Sequence, residues 1–250
     1  MTPMLGIMAS GISGHLIPSP PVSGYELWLN GKDATKFTFS SGSVVSSWLD
    51  SSGNGHTFSQ ATVANQPSLT SNLVVFDGTN DALVAAAKFM DNLYTGPNTL
   101  FIVYKVVSYT AFGGVICNGE FGSGGPEFGI AVNTASNKLG SYASGTSCNQ
   151  LNTMQTGNTL GLGIWDVDLN NSASTRAQVY LNAGTVMTGN TQSSAHPTGT
   201  SLSYPTLAAS NSGTASYSNI AIGEIIWYKS SLGATDRNSV RDFLMTKWGL

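Results

Sequence analysis

Charged residues are unusually scarce in this chain. They make up 9% of its 250 residues, whereas soluble globular proteins average about 25%. Ser, Thr, Asn and Gly must supply most of the polar surface, which is typical of β-rich extracellular or virion proteins and argues against a cytosolic enzyme. The net charge is −3 and no basic run occurs, so we expect no nucleic-acid partner. No apolar run reaches the roughly 18 residues that span a bilayer, so we expect no membrane insertion.

Histidine and cysteine are rare as well. The three histidines, His15, His56 and His196, are scattered and have no spacing for zinc or a catalytic triad. The two cysteines, Cys117 and Cys148, have no metal-motif spacing. They fit one disulfide in an oxidising compartment or two separate thiols, and the sequence leaves both alternatives open.

Helical periodicity is clear at one place, close to residue 250. The apolar stripe there falls at i, i+3, i+4 and i+8 and consists of Val240, Phe243, Leu244 and Trp248. Gly233 is an acceptable N-cap and Gly249 follows the last turn, as helix ends prefer. We predict a helix over 234–248, laid as a latch against a β-domain, with Trp248 as its anchor in the core.

The rest of the chain is organised as short β-strands separated by Gly-, Asn-, Asp- and Ser-rich turns. Strands are predicted at 25–29, 44–49, 73–76, 83–84, 99–107, 114–117, 128–132, 160–169, 177–181 and 220–228. The stretch 187–203 is predicted to be a long surface loop. This spacing predicts an all-β fold over 25–250, a two-sheet antiparallel jelly-roll sandwich with one C-terminal α-helix.

Residues 1–24 contain no charged side chain. No Lys or Arg precedes Lys32, and no small-residue cleavage site is evident, so we do not expect a signal peptide. Ordering such a segment costs about 1–2 kcal/mol per residue, and either the domain's own flank or a neighbouring subunit must hold it. We expect a neighbour, with residues 1–24 as a docking arm and Pro-rich spacer. Its apolar side chains are Met4, Leu5, Ile7, Met8, Ile12, Leu16 and Ile17.

Four groups of motifs follow one another along the chain. They are Leu27-Trp28-Leu29, the run Trp48–Asn54, the run Val75–Asp81, and Gly223–Ile226 together with Lys247-Trp248-Gly249. Together they resemble the concanavalin A-like lectin/glucanase jelly roll in its laminin-G-like branch, over residues 25–250. The run Met4–Ser10 resembles the starts of tailed-bacteriophage virion proteins that carry such domains. The resemblance implies a capsid decoration, fibre or tail protein.

One pair of carboxylates alternates along a predicted strand, at Asp166 and Asp168. Glycoside hydrolases of this fold use Glu-x-Asp-x-(x)-Glu, so that acid and nucleophile lie on one face. Ile164 stands where the first Glu would lie and no Glu follows. We therefore expect no catalysis and interpret the pair as solvent-facing or loop-end residues. Glu120 and Glu127 are expected to be solvated loop residues.

Two binding hypotheses concern the loops. Several relatives bind calcium in loops, and Asp77, Asn80 and Asp81 place three oxygen donors in one turn, although Asx-turn chemistry explains the same residues. Exposed aromatic side chains can stack on sugar rings, or they can pack beneath their own loops. The carbohydrate-binding candidates are Tyr109, Phe112, Phe121 and Tyr142, with Tyr204 and Tyr217 as further loop aromatics.

Three functions follow from these patterns. The first is a non-enzymatic structural component of a phage virion, a homo-oligomer that contacts other virion subunits through residues 1–24 and makes weak glycan contacts. The second is a secreted carbohydrate-binding module. The third is a glycoside hydrolase of the same fold. No cofactor is expected apart from the calcium hypothesis.

Overall fold

The computed structural model describes residues 18–90, 96–108, 113–119, 128–133, 138–143, 147–150, 158–168, 170–172, 175–182, 185–186 and 204–250. Of residues 128, 132–133, 138–143, 147–150 and 185–186 it describes the backbone alone. Within these ranges the chain forms seventeen β-strands, three short 3₁₀ turns and one α-helix.

The strands, in chain order, are β1 Leu27–Asn30, β2 Phe37–Ser41, β3 Val44–Trp48, β4 Phe58–Ser59, β5 Ser68–Thr70, β6 Leu73–Asp77, β7 Leu83–Ala85, β8 Asn98–Ser108, β9 Gly113–Asn118, β10 Phe128–Asn133, β11 Lys138–Ala143, β12 Ser147–Gln150, β13 Gly161–Val167, β14 Ala177–Leu181, β15 Thr185–Val186, β16 Thr206–Leu207 and β17 Asn219–Tyr228. The helix, α1, is Ala234–Trp248, and the 3₁₀ turns are Ala34–Lys36, Val63–Asn65 and Asn211–Gly213. The predicted all-β class and the C-terminal helix are confirmed.

All of these strands pair antiparallel and belong to one hydrogen-bonded sheet, which curls into two layers. In the first layer β17 is central, because β8 runs along one of its edges while β6 and β1 share the other. Strands β13, β14 and β15 extend this layer beyond β8. The second layer runs β3, β4, β7, β16, β9, β10, β11 and β12. Strand β2 pairs with the other side of β3. Strand β5 pairs with both β3 and β6, and so joins the two layers.

The described residues form two hydrophobic clusters, one on each face of the first layer. Alternate residues of β8 illustrate this: Leu100, Ile102, Tyr104 and Val106 lie in the core between the layers. Phe101 and Val103, between them in sequence, lie in a second cluster beneath α1. The helix contributes its fully buried residues Val240 and Leu244 to that second cluster. Each buried aliphatic side chain stabilises the fold by about 1.5–3 kcal/mol.

A β-bulge at Gly223 changes which residues of β17 face the core. Ile222 pairs with Tyr104 of β8, and Glu224 pairs with the next residue, Val103, so Gly223 is an extra residue on its strand. The core-facing residues are Ile220 and Ile222 before the bulge, and Ile225 and Trp227 after it. Glu224 consequently lies on the side of the helix.

Buried Glu224 ties the last turn of α1 to the sheet. Its carboxylate accepts hydrogen bonds from the indole nitrogens of Trp28 and Trp248, each at 2.7 Å. It also forms an ion pair of 2.8 Å with the ammonium of Lys247, which donates in turn to Asn30 Oδ1 at 2.9 Å. We call Trp28, Glu224, Lys247 and Trp248 the latch cluster. The predicted latch is therefore held by a buried ion pair and two indole donors.

Trp248 anchors the helix in a different way from the one predicted. It is half-buried rather than buried in the core, and its ring packs directly against Gly223, where a Cβ atom would lie 2.7 Å from the ring. Lys32 covers the same ring with its ammonium 4.7 Å from the ring centroid. The anchor thus combines ring packing on the bulge with the hydrogen bond to Glu224.

The predicted arm lies largely outside the described residues, which begin at Pro18. In the described part, Pro20 is buried and Val22 packs against the second cluster. The carbonyl of Val22 accepts a hydrogen bond of 2.8 Å from the Tyr228 hydroxyl. The domain's own flank therefore holds this part of the spacer, where the sequence favoured a neighbouring subunit.

Strand register bears on the two cysteines. Cys117 of β9 pairs with Gly129, Gly129 pairs with Tyr142, and Tyr142 pairs with Cys148 of β12. Three strand spacings of about 4.8 Å separate the two Cα atoms by about 14 Å, whereas a disulfide needs less than about 7 Å. The register favours two separate thiols.

Within the described part of the chain, no helix has the length and apolar character that crossing a membrane requires.

Candidate functional site

A polar pocket of about 160 Å³ lies where β13 ends and β14 begins. It lies on the helix side of the first layer, because Ile164 and Tyr180 of the same two strands belong to the second cluster and alternate residues share a face. Its described lining residues are Asp166, Asp168, Asn171, Thr175, Gln178 and Ser231. We call this the Asp166/Asp168 pocket.

The two carboxylates reach the pocket through strand alternation. Trp165 and Val167 point into the core between the layers, so Asp166 and Asp168 point the other way, as the sequence predicted. The interpretation as loop-end residues is confirmed for Asp168, which directly follows β13, whereas Asp166 is the penultimate residue of that strand. The interpretation as solvent-facing is wrong for Asp166, whose side chain is 15% exposed, because α1 and the turn before it cover this end of the strand.

Asp166 is held from the helix side. Ser231, in the turn between β17 and α1, donates its hydroxyl to Asp166 Oδ1 at 2.9 Å. Arg237 of α1 lies 3.4 Å from Oδ2, and its guanidinium stacks on the Tyr180 ring at 4.3 Å. Burial raises the pKa of Asp166, and the Ser231 hydrogen bond and the Arg237 charge oppose that rise.

Asp168 organises the loop that closes the other side of the pocket. Its Oδ1 accepts the backbone N–H and the side-chain amide of Asn170, at 3.0 and 3.1 Å. Its carbonyl accepts the amide of Asn171 at 3.1 Å. This Asx-type turn brings Asn171 and Thr175 to the rim of the pocket. Gln178 stands opposite Asp166 in the pairing of β13 with β14.

The pocket is chemically suited to a polyhydroxylated ligand. Carboxylates accept hydrogen bonds from hydroxyl groups, whereas amides and hydroxyls both donate and accept. The lining provides two carboxylates, two amides and two hydroxyls. Pockets for drug-sized ligands measure about 300–1,000 Å³, so a cavity of about 160 Å³ encloses only a small ligand or one small part of a larger ligand.

Sequence reasoning found the two carboxylates and missed the other lining residues. Asn171 and Thr175 lie in a loop, and Ser231 is 65 positions from Asp166, so no local pattern connects them. Gln178 could have been found by aligning two of the predicted strands, since it pairs with Asp166.

The predicted calcium residues form a compact turn. Asp77 Oδ1 accepts the backbone amides of Thr79 and Asn80 at 2.7 and 3.3 Å. Asp81 Oδ2 accepts the amide of Asp77 at 3.1 Å. Among the described residues there is no group of three or more His, Cys, Asp or Glu that could hold a metal ion. Asx-turn bonding accounts for this turn, and calcium binding stays a prediction.

The structure describes only some of the predicted loop aromatic residues. Tyr109, Phe112 and Phe121 lie outside the described residues, as do Glu120 and Glu127, and Tyr142 is a strand residue of β11. Tyr217 is half-buried and donates its hydroxyl to the Gly213 carbonyl at 2.8 Å. Tyr204 is 40% exposed, with the Lys88 ammonium 5.4 Å from its ring centroid, so it retains an accessible ring.

No family model and no curated protein sequence matches this chain. Among solved structures, it is similar to Trypanosoma rangeli sialidase in complex with sialic acid, with a TM-score of 0.61 and 12% identity over 92% of this chain and 34% of the sialidase. Trypanosoma rangeli sialidase without a named ligand gives a TM-score of 0.61 and 13% identity over 93% of this chain and 35% of the sialidase. The CBM40 domain of Ruminococcus gnavus IT-sialidase bound to α2,3 sialyllactose gives a TM-score of 0.44 and 16% identity over 56% of this chain and 80% of the CBM40 domain.

The chain spans about a third of the length of the sialidases. Their likeness, at this identity, shows a shared fold. The concanavalin A-like branch and the link to virion proteins stay predictions from sequence.

Proposed function

We propose that this protein is a non-catalytic carbohydrate-binding domain whose ligand site is the Asp166/Asp168 pocket. The observation that carries the proposal is the lining itself, which joins two carboxylates to two amides and two hydroxyls in one small concavity. Sugar rings present hydroxyl groups that donate and accept hydrogen bonds at close spacing, and this lining complements them. A fold that also occurs in a sialidase supports the same proposal.

The environment of Asp166 supports binding without hydrolysis. A glycosidase needs two carboxyl groups whose surroundings separate their roles as acid and nucleophile. Asp166 already accepts the Ser231 hydroxyl and lies beside the Arg237 guanidinium, which favours a fixed, ionised acceptor. The raised pKa of Asp166 and the fold shared with a sialidase favour a hydrolase as the second candidate.

Calorimetric titration with neutral oligosaccharides tests the proposal. We expect one or more of lactose, cellotriose, maltotriose and chitotriose to bind, and Asp168→Ala to weaken that binding about tenfold or more, because a charge-assisted hydrogen bond contributes about 1.5–3 kcal/mol. Asp242→Ala is the matched control, since Asp242 is an exposed carboxylate on α1. The absence of any binding, or equal binding by wild type and Asp168→Ala, would refute the proposal.

The same preparations decide between binding and catalysis. Incubation with each oligosaccharide, with β-glucan, and with alginate, agarose and peptidoglycan should release no reducing ends. Turnover that is lost in Asp166→Asn or Asp168→Asn would establish the hydrolase instead.

An assembly role in a phage virion is a separate proposal and is compatible with a carbohydrate-binding domain. It is supported by the uncharged segment 1–24 and by the 9% content of charged residues. In this proposal the partners are other virion subunits and further copies of the chain, and the location is the virion.

A further inference from the structure

The charges around the Asp166/Asp168 pocket are arranged in two shells. The inner shell, which a ligand would touch, contains two carboxylates and no cationic side chain among the described lining residues. The outer shell contains two arginines. Arg237 lies behind Asp166, with its guanidinium 3.4 Å from the carboxylate. Arg176 directly precedes β14, and its backbone carbonyl accepts the Asp168 amide at 2.8 Å.

The outer arginines are poorly placed to bind a ligand themselves. Arg237 is 15% exposed, and one face of its guanidinium is covered by the Tyr180 ring at 4.3 Å. Arg176 is half-buried and does not belong to the pocket lining. Arg237 compensates part of the negative charge of the two carboxylates.

From this arrangement we infer that the pocket takes a neutral sugar and rejects sugars that carry a carboxylate. The inference rests on the proposed function and specifies its ligand class. A sugar carboxylate would meet Asp166 and Asp168 at short range, where like charges repel strongly. The Ser231 hydroxyl, one of the two hydroxyls of the lining, already donates to Asp166. Neutral hydroxyl groups find acceptors in the same carboxylates and carry no charge to be repelled, so the carboxylates act as a selectivity device against acidic sugars.

A cationic amino sugar does not meet this repulsion. Arg237, 3.4 Å from Asp166, offsets part of the attraction of the two carboxylates, so an ammonium group gains less than the inner shell alone would give. The expected order of affinity therefore places the acidic sugar last, behind both the neutral sugar and the amino sugar.

Matched pairs of oligosaccharides test this order. Lactose is compared with α2,3-sialyllactose, each neutral trisaccharide with its C6-oxidised uronic counterpart, and chitotriose with the glucosamine trisaccharide. We expect the neutral member to bind at least about tenfold more tightly than its acidic partner at low salt. The ratio should fall as salt is raised, because salt screens repulsion between accessible charges.

Asp168→Asn removes one inner charge and preserves the size of the side chain. It should lower the ratio of neutral-sugar affinity to acidic-sugar affinity to about threefold or less. Asp242→Asn, the matched control on α1, should leave this ratio unchanged. Thermal melting of each variant shows that the fold is retained.

The outcomes separate the inference from the proposed function. If acidic sugars bind as tightly as neutral ones and Asp168→Ala abolishes both, the carbohydrate site stands and its selectivity is refuted. If Asp168→Asn leaves the ratio unchanged, Asp168 does not set it and the inference is also refuted. If no sugar in the panel binds, both the inference and the proposed function fail.

Discussion

Asp81 is a carboxylate placed where its charge is disfavoured. It is 8% exposed, and burial raises its pKa to about 6; the Asp77 amide opposes this rise and the Asp77 charge adds to it. The pKa in the folded protein exceeds the unfolded value of 3.8, so the folded state binds the proton more tightly. The stabilisation by protonated Asp81 is therefore fully present below about pH 4 and is lost as the pH rises through about 6.

Replacement of Asp81 by Asn should reveal this cost. The Asn side chain keeps an oxygen for the Asp77 amide and removes the ionisation, so the variant should exceed the wild type in free energy of unfolding by about 2–3 kcal/mol at pH 7.5. At pH 4 the two proteins should be equally stable. Urea unfolding at both pH values measures the difference, and a difference that does not depend on pH contradicts the assignment.

The effect of calcium on stability tests the other interpretation of this turn, in which it is a calcium site. If Asp77, Asn80 and Asp81 hold calcium as the sequence suggested, adding calcium at pH 7.5 should stabilise the wild type and have little effect on Asp81→Asn. No change in either protein would leave the Asx turn as the whole explanation of these residues.

At the scale of elements, the latch cluster gives α1 its position. Lys247 is 8% exposed and Glu224 is fully buried, so Lys247→Met leaves a carboxylate inside the protein with its two indole donors and without its cation. We expect the free energy of unfolding to fall by about 3 kcal/mol. The double variant Lys247→Met, Glu224→Gln removes both charges and should recover most of that loss. Chemical denaturation of the two single variants and the double variant measures the coupling, and purely additive effects would contradict it.

Elements were predictable where burial left a periodic pattern. Strand β17 and α1 show apolar runs or stripes, and both were located from sequence to within one or two residues. Strand β2 was missed because only Phe37 of its five residues is buried, so no alternation is visible. Strands β11 and β12 consist largely of Gly, Ser and other small or polar residues, whose β-propensity is weak.

The candidate site was half predictable for the same reason. Alternation along β13 placed Asp166 and Asp168 on one face, a local property of any strand. The proximity of Ser231 and Arg237 depends on how α1 packs over that strand, and sequence spacing carries no information about it. The latch cluster is a similar case, since its motifs were recognised in order but their shared partner, Glu224, became apparent only in three dimensions.

For the whole molecule, the segment before β1 divides into two parts with different expected effects. Deleting residues 1–17 should leave the melting temperature of the domain unchanged. Deleting residues 1–24 also removes buried Pro20 and the Val22 contact with Tyr228, and should lower the free energy of unfolding by about 1–2 kcal/mol. Equal melting temperatures for the two truncated chains would contradict a role for the spacer in the domain.

Assembly is tested with the same truncations. If residues 1–17 dock onto another subunit, the shorter deletion should yield a folded domain that no longer joins larger particles, as measured by light scattering and by incorporation into virions. Normal incorporation of the truncated chain would refute the docking arm.

The bulge at Gly223 has a consequence for how this chain can vary in length. Strand β17 carries one residue more than its pairing with β8 uses, so a chain that lacks this glycine keeps every side chain on its present face. It gives up the hydrogen bond between the Gly31 amide and the Gly223 carbonyl. Loss of Ala221, two positions earlier, has the opposite effect, because it exchanges the two faces of the strand on one side of the gap. Single-residue deletions among relatives of this chain should therefore cluster at the bulge and be absent from the rest of the strand.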